Sequence, residues 1–330
     1  MIDFYSLIKD TNAFKAVKTE RDGQRLSHAY LIVSADGKYL TEYLKVFARL
    51  IACKNDYPCM QCRACKLIDA GAYPDLYVYP KKDDKSQTVS SENVNQLIEE
   101  SYYKPIEGDK KIFIISQAQS MNASAQNKLL KTLEEPPKNV HILLGATSEY
   151  PLLSTVKSRV KKLEIPAFSN QKLFNALKSV CPDEQKLISA IACGDGTLGG
   201  AEDLYFDQDL EDVTALVVDM ILNMQSSSQV LTYSTKIVDG KKDISKFLSV
   251  LELAFRDFLV FKQGKGNLAV NTAVLEKIKD AKGYSLGAII NALEKITEAN
   301  KRKKFNANAT MLIEWLLFQI LEGKYKWQKL

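Results

Sequence analysis

Five short runs rich in β-branched and aromatic residues punctuate the first half of the chain, at 29–33 (AYLIV), 75–79 (DLYVY), 111–115 (KIFII), 141–146 (HILLGA) and 161–165 (KKLEI). Longer stretches of helical spacing separate them. Strands alternating with helices predict a mostly parallel sheet covered by helices. Leu44, Phe47, Ala48 and Ile51 recur at three- and four-residue steps and predict a helix over 41–51. A capping-type serine opens a second over 91–100, whose apolar side carries Val94, Leu97 and Ile98. A third over 123–134 is stopped by Pro136-Pro137.

After Pro166 the pattern changes. From Gln171 onward the spacing is helical throughout, broken at 181–184 (CPDE), 194–200 (GDGTLGG) and Ser226-Ser227-Ser228. Residues 243–261 place Ile244, Phe247, Leu248, Leu251, Phe255, Phe258 and Leu259 on one side, with Asp243 as N-cap and Gly264 beyond the end, which predicts a long helix with a buried face. The last helix, over 309–321, is apolar nearly all round and is expected to be enclosed by neighbours from this chain or from a partner.

Composition bounds the function more than it names it. With 330 residues, 46% hydrophobic and 26% charged, the chain has the balance of an ordinary folded protein. A net charge of +5 permits a nucleic-acid partner without demanding one. MIDFYSLIKDTNAF lacks the basic end and apolar core of a secretory signal. MLIEWLLFQIL at 311–321 is interrupted by Glu314 and too short to cross a bilayer. The expectation is a cytoplasmic chain with no membrane partner.

In that reducing setting Cys53, Cys59, Cys62 and Cys65 point to metal rather than disulfides, whereas Cys181 and Cys193 stand apart. Their C-x5-C-x2-C-x2-C spacing lets the backbone close round one tetrahedral ion with Zn–S bonds of about 2.3 Å. Four cysteines leave no open position for water, which favours a structural zinc over a catalytic one. Four unrelated buried thiols, or a redox relay built on the overlapping C-x-x-C pairs, are the alternatives.

The stretch HAYLIVSADGKYLTE, residues 28–42, fits the frame of a phosphate-binding loop but not its chemistry. On the pattern G-x-x-x-x-G-K-[ST] the first glycine becomes Ser34, the second Tyr39, the lysine Leu40 and the hydroxyl Thr41, with Gly37 between. Leu40 brings no charge to a phosphate, and Tyr39 puts a ring where backbone must approach closely.

Residues 111–166, with KLLKTLEEPP, LLGAT and SRV in order, resemble closely the central segment of the AAA+ subunits of the bacterial DNA polymerase III clamp loader. HAYL and the cysteine cluster fall into place upstream, and NANATMLIEWLLFQI is similar to the closing helix of that family's collar. The resemblance implies an α/β AAA+ domain with a parallel sheet over 1–166, carrying a zinc module at 53–65. A small helical lid over 167–206 and an all-α collar over 207–330 that oligomerises would follow. It also implies a place in a DNA polymerase III holoenzyme, with gamma/tau and delta subunits as partners and the sliding clamp and primed DNA reached through the complex.

Within the family, the motor subunits carry an acid pair after the third strand and an arginine in a later Gly-x-Leu-Arg segment. This chain has Ser116-Gln117 and Gly196-Thr197-Leu198-Gly199 there. Magnesium beside phosphate prefers a carboxylate, which neither Ser116 nor Gln117 supplies. The resemblance therefore narrows to the delta-prime class, with no ATPase activity and no functional ATP/Mg²⁺ site of its own. Arg159 of the Ser158-Arg159-Val160 motif keeps the family's arginine finger, which would serve a neighbour's ATP site in trans; Val160 replaces the usual cysteine.

Two rival readings follow from the residues: an ATPase working through an unusual loop, and a zinc-dependent nucleic-acid binder. Leu40, Ser116 and Gln117 speak against the first, and the modest charge against the second. His28 and His141 are expected to serve packing or backbone contacts. The lysine-rich 80–87 and 301–304 are read as solvated charge, and Glu134-Glu135 as part of a structural turn before two prolines.

Overall fold

The computed structural model describes residues 2–55, 57–81, 88–240, 242–304 and 308–326. In chain order its first elements are α1 (Phe4–Ile8), α2 (Asn12–Asp22), β1 (Ala29–Ser34), α3 (Leu40–Ala52), α4 (Arg63–Asp69), β2 (Leu76–Tyr79), α5 (Ser91–Ser101) and β3 (Lys111–Ile115). Then come α6 (Ala123–Glu134), β4 (Val140–Ala146), α7 (Ser154–Lys157), β5 (Lys161–Ile165) and α8 (Asn170–Leu177). The rest is helical: α9 (Glu184–Cys193), α10 (Leu198–Phe206), α11 (Asp209–Asn223), α12 (Ser227–Val238), α13 (Ile244–Lys262), α14 (Thr272–Ile278), α15 (Leu286–Lys304) and α16 (Ala309–Lys326). The expected strands and helices all form; β3, β5 and α6 have the expected bounds, and other ends shift by one residue or, at the end of α16, by five.

The chain divides into two compact units, Met1–Lys172 with Thr197–Gly199, and Leu173–Gly196 with Gly200–Leu330. The first holds a five-stranded sheet of order β2-β3-β4-β1-β5 in which every pairing is parallel. β3 and β4 are buried along their whole length, and their sequences, KIFII and VHILLGA, are accordingly apolar on both faces. On one face Leu31, Phe113, Ile115, Ile142 and Leu144 pack with Val94 and Leu97 of α5 and Leu129 and Leu133 of α6. Alternate residues point to the other face, where Tyr30, Ile32, Ile112, Ile114 and Leu143 are equally buried. β5 is an edge strand, and its Lys161, Lys162 and Glu164 lie in water, charges that discourage strand addition.

Caps explain where several helices begin. The serine opening α5 is Ser90, one residue before the expected start, and with Asn93 it forms a reciprocal capping box. Asp243 caps α13 by accepting from Ser245 and Lys246 amides, and Gly264 follows the helix at φ +75°. In the second unit α13 packs against α11, α14 and α15, and α16 against α12 and α15. Leu312, Ile313, Leu316, Leu317, Ile320 and Leu321 of α16 are buried, but Met311 and Phe318 are exposed, so the described residues enclose only part of that helix. Among the described residues no helix is long and apolar enough to cross a membrane.

Candidate functional site

In the strand order the chain turns back about β1, so the carboxyl ends of β1 and β4 frame the crevice where open parallel sheets bind ligands. The loop from Ser34 to Thr41 lies at that crevice. Leu40 opens α3 as an almost fully buried side chain. It packs against Gly145 of β4, where a methyl group would stand 3.1 Å from Leu40 Cγ and 2.6 Å from Leu44 Cδ1. The position aligned with a phosphate-binding lysine is thus a sheet-to-helix packing residue. Tyr39 is the N-cap of α3 and its ring lies 5.3 Å from that of Phe4.

The loop is tied by a residue outside the aligned glycine, lysine and hydroxyl positions. Asp36 is 2% exposed, and its Oδ1 accepts from the Tyr39 amide at 3.1 Å. Its Oδ2 accepts from the Tyr43 hydroxyl at 2.7 Å and from the Leu198 and Gly199 amides at 2.9 and 3.0 Å. Burial, and then the Asp36 charge, push the Tyr43 hydroxyl pKa well above its usual value, so it stays a proton donor. Asp36 was not singled out in the sequence because its partners at 198 and 199 lie far along the chain.

At the end of β3, Ser116 is buried, and both its amide and its hydroxyl donate to the Tyr79 carbonyl, at 2.9 and 3.1 Å. Its hydroxyl therefore clamps two strand ends together. Gln117 occupies the position before the short 3₁₀ turn at Ala118–Ser120 and makes no side-chain capping bond to it.

Arg159 lies at the opposite end of the sheet. β5 runs beside β1 in the register Tyr30↔Lys161 to Ser34↔Ile165. Arg159 precedes the start of β5 while the Ser34 loop follows the end of β1, a separation of at least about 13 Å at some 3.3 Å per residue. The guanidinium is one-third exposed and pairs with Glu134 Oε1 at 2.6 Å. It also donates to the Thr155 carbonyl at 2.9 Å and to Ser158 Oγ at 3.2 Å. Glu134, read from sequence as part of a structural turn, is thus also the acidic neighbour of Arg159.

The four clustered cysteines converge, their sulfurs all within 4.8 Å of one another. Cys53 Sγ lies 3.7 Å from Cys59 and 3.8 Å from Cys62, close to the ~3.8 Å between ligands on a tetrahedral ion with 2.3 Å bonds. Met60 adopts φ +58°, and the Cys62 amide donates to Cys59 Sγ at 3.2 Å, so the backbone curls round the cluster. Amides of Gln61 and Cys62 bring the Cys59 thiol down to about 6, whereas burial pushes Cys53 and Cys65 up. A divalent cation would hold all four as thiolates, so donor type and geometry fit a closed metal site. Arg21 secures the loop from α2 by donating to the carbonyls of Cys53, at 2.7 Å, and Asn55.

Of the remaining sequence features, His28 has a buried Nε2 without a hydrogen-bond partner among the described residues. His141 Nδ1 lies 2.9 Å from the Ser27 carbonyl, and burial depresses its pKa. Arg302 pairs with Glu298 at 2.6 Å and stacks on Trp315, 3.9 Å from the ring centroid. Most of the other basic stretch, 82–87, lies outside the described residues.

The model of the family described as DNA polymerase III, delta subunit, matches residues 9–169. Over 309 residues the chain is 26% identical to DNA polymerase III subunit delta' of Bacillus subtilis (strain 168), covering 91% of this chain and 92% of that one. It is 24% identical over 303 residues to the tau subunit of the same organism, covering 84% of this chain but 52% of the relative. It thus spans nearly all of the first relative and about half of the second. Among solved structures, a gamma subunit-related protein of DNA polymerase III from Thermotoga maritima aligns over 95% of this chain and 100% of its own, at 15% identity and a TM-score of 0.44.

Proposed function

The chain belongs to the clamp-loader family of DNA polymerase III, and within that family we propose that it is a subunit of the delta-prime kind, which hydrolyses no ATP itself and completes a neighbour's ATP site. The observation that carries the reading is the division of labour across the sheet. The crevice that would hold a triphosphate has Leu40 packed against Gly145 and Ser116 tied to Tyr79, so the positions aligned with the motif's lysine and its metal-holding acid supply neither. The arginine of the family's finger motif stands at the edge strand's far end, about 13 Å or more from that crevice along the strands, which supports a role toward a neighbour rather than toward this chain's own crevice. A guanidinium presented there neutralises charge building on a transferred phosphoryl group.

In this reading gamma/tau subunits supply the working ATP sites, delta completes the ring, and the assembly opens a sliding clamp and places it on primed DNA. Residues 167–206 would form the lid and 207–330 the collar that joins the subunits. The cysteine cluster would hold a structural zinc that fixes the loop between α3 and β2.

The test is reconstitution with gamma/tau and delta from the same source. The isolated chain is expected to show no ATPase activity, while Arg159→Ala assembles normally and lowers ATP turnover at the one site it completes by roughly 10³-fold, read as a partial loss of the complex's total turnover. Unchanged turnover, or hydrolysis by the isolated chain at the rate of a motor subunit, defeats the reading. For the cluster, elemental analysis is expected to find one zinc per chain. Its removal by a chelator should speed amide exchange across 53–72 while leaving β3 and β4 protected.

A further inference from the structure

We propose that Asp36 is a built-in anion that takes the place of a nucleotide phosphate, leaving the crevice filled by the chain itself. The inference deepens the reading of this crevice as a nucleotide site the chain no longer works, and rests on it. In a phosphate-binding loop, backbone amides and helix N-termini converge on a negative charge. The same kind of donors converge here on a carboxylate: the amide of Tyr39, which caps α3, and the first two amides of α10, Leu198 and Gly199. The first amides of an α-helix have no partner within the helix and carry the positive end of its dipole. Tyr43 adds a hydroxyl donor at 2.7 Å, and the carboxylate is 2% exposed. All four groups donate, so the residue they enclose must be an acceptor at both oxygens.

This arrangement links two features of the sequence that appeared to be separate losses. The segment Gly196-Thr197-Leu198-Gly199, where the motor subunits carry an arginine, is the segment that donates to Asp36. A methyl group at Gly199 would stand 2.7 Å from Lys38 Cβ and 2.8 Å from Asp36 Oδ1. No arginine fits there while Asp36 holds its place. Glycine at 199 and aspartate at 36 are therefore one device: the helix start comes close enough to bond the carboxylate because no side chain stands between them. Here the Asp36 carboxylate itself draws these donors together.

The experiment uses the full chain, with ATP and inorganic pyrophosphate as probes and amide exchange at Tyr39, Leu198 and Gly199 as readout. The wild-type protein is expected to show slow exchange at all three and no response to either probe at millimolar concentration. D36A should exchange about tenfold faster or more at Leu198 and Gly199, and pyrophosphate should restore much of the protection by filling the vacated position. D36N should behave like D36A, since an amide turns an N–H toward one of the donors. Wild-type exchange in a folded D36A overturns the proposal and leaves the non-hydrolysing role standing. If neither variant folds, equilibrium dialysis of the wild-type chain against ATP decides. Exclusion of ATP supports the plug; binding that protects these amides overturns it, and hydrolysis of that ATP overturns the reading of the crevice as well.

Discussion

The two ends of the sheet treat charge in opposite ways. At the carboxyl end of β1 a carboxylate is sealed among four donors, and the residue aligned with a catalytic lysine is an aliphatic packed on a glycine. At the amino end of β5 an arginine keeps a third of its surface in water and is held by one half-exposed acid and a helix-end carbonyl. Burial with complete hydrogen bonding fixes a group in one arrangement, because leaving any member unpaired costs about 1–3 kcal/mol. An exposed ion pair costs about 1 kcal/mol or less to exchange for another partner. The first end is built to stay as it is and the second to be re-partnered. The proposed function requires such a difference, between a crevice no longer worked and an arginine that acts only when a neighbour arrives.

The largest effect that would sharpen this comparison is the loss of turnover in Arg159→Ala, since it falls on the neighbour's chemistry and leaves this chain intact. Next is Leu40→Lys, which restores the letter of the phosphate-binding motif. If the crevice is a packed core, the ammonium is desolvated among Leu44, Gly145 and the sheet, with no carboxylate at 116 or 117 to meet it. The expected result is a loss of about 3 kcal/mol or more in urea unfolding of the first unit, with no gain of ATP hydrolysis. A stable variant that turns over ATP would erase the contrast between the two ends. Gly145→Ala probes the same packing more gently. Its methyl group would press on Leu44 and Leu40 at 2.6 and 3.1 Å, a cost of about 1–3 kcal/mol in the same measurement.

What the sequence disclosed follows the range over which each interaction acts. Strands and helices were legible because they depend on local periodicity and caps: Asp243, Pro136-Pro137 and the apolar run of β4 each announce themselves within a few residues. The cysteine cluster was legible for the same reason, as 13 residues contain all four thiols. The residues at the motif positions, Leu40, Ser116 and Gln117, could be read because each is defined by its place within a short motif. The device that closes the crevice could not, since Asp36 and its donors at 198 and 199 are more than 160 residues apart. Nor could the partner of Arg159, because Glu134 reaches it only once α6 and α7 have packed. Residues 197–199 also illustrate why a boundary drawn on composition alone is coarse. They sit in the helical half of the sequence yet pack with the sheet-containing unit.

The smallest expected effect is also the one whose sign says most about the edge of the sheet. Glu134 Oε1 lies 2.6 Å from Arg159 Nη2, and both side chains are substantially exposed, so Glu134→Gln should change the stability of the isolated chain by less than about 1 kcal/mol. In the assembled complex two roles for Glu134 predict opposite outcomes. If it only parks the guanidinium, it competes with the neighbour's phosphate for the same donor. Removing its charge while keeping a carbonyl oxygen should then lower the KM for ATP by up to about fivefold with kcat unchanged, the span that 1 kcal/mol covers. If it orients the guanidinium for the transition state, kcat falls tenfold or more and KM stays near its starting value. The exposure of both groups and the absence of a second acidic partner for Arg159 among the described residues favour the first outcome. Because the competing pair is solvent-exposed, the gain over wild type should shrink as salt screens it. Steady-state kinetics of the complex at low and high ionic strength measures both quantities, and a fall in kcat would move the edge of the sheet into the same class as its crevice, a site whose geometry this chain fixes alone.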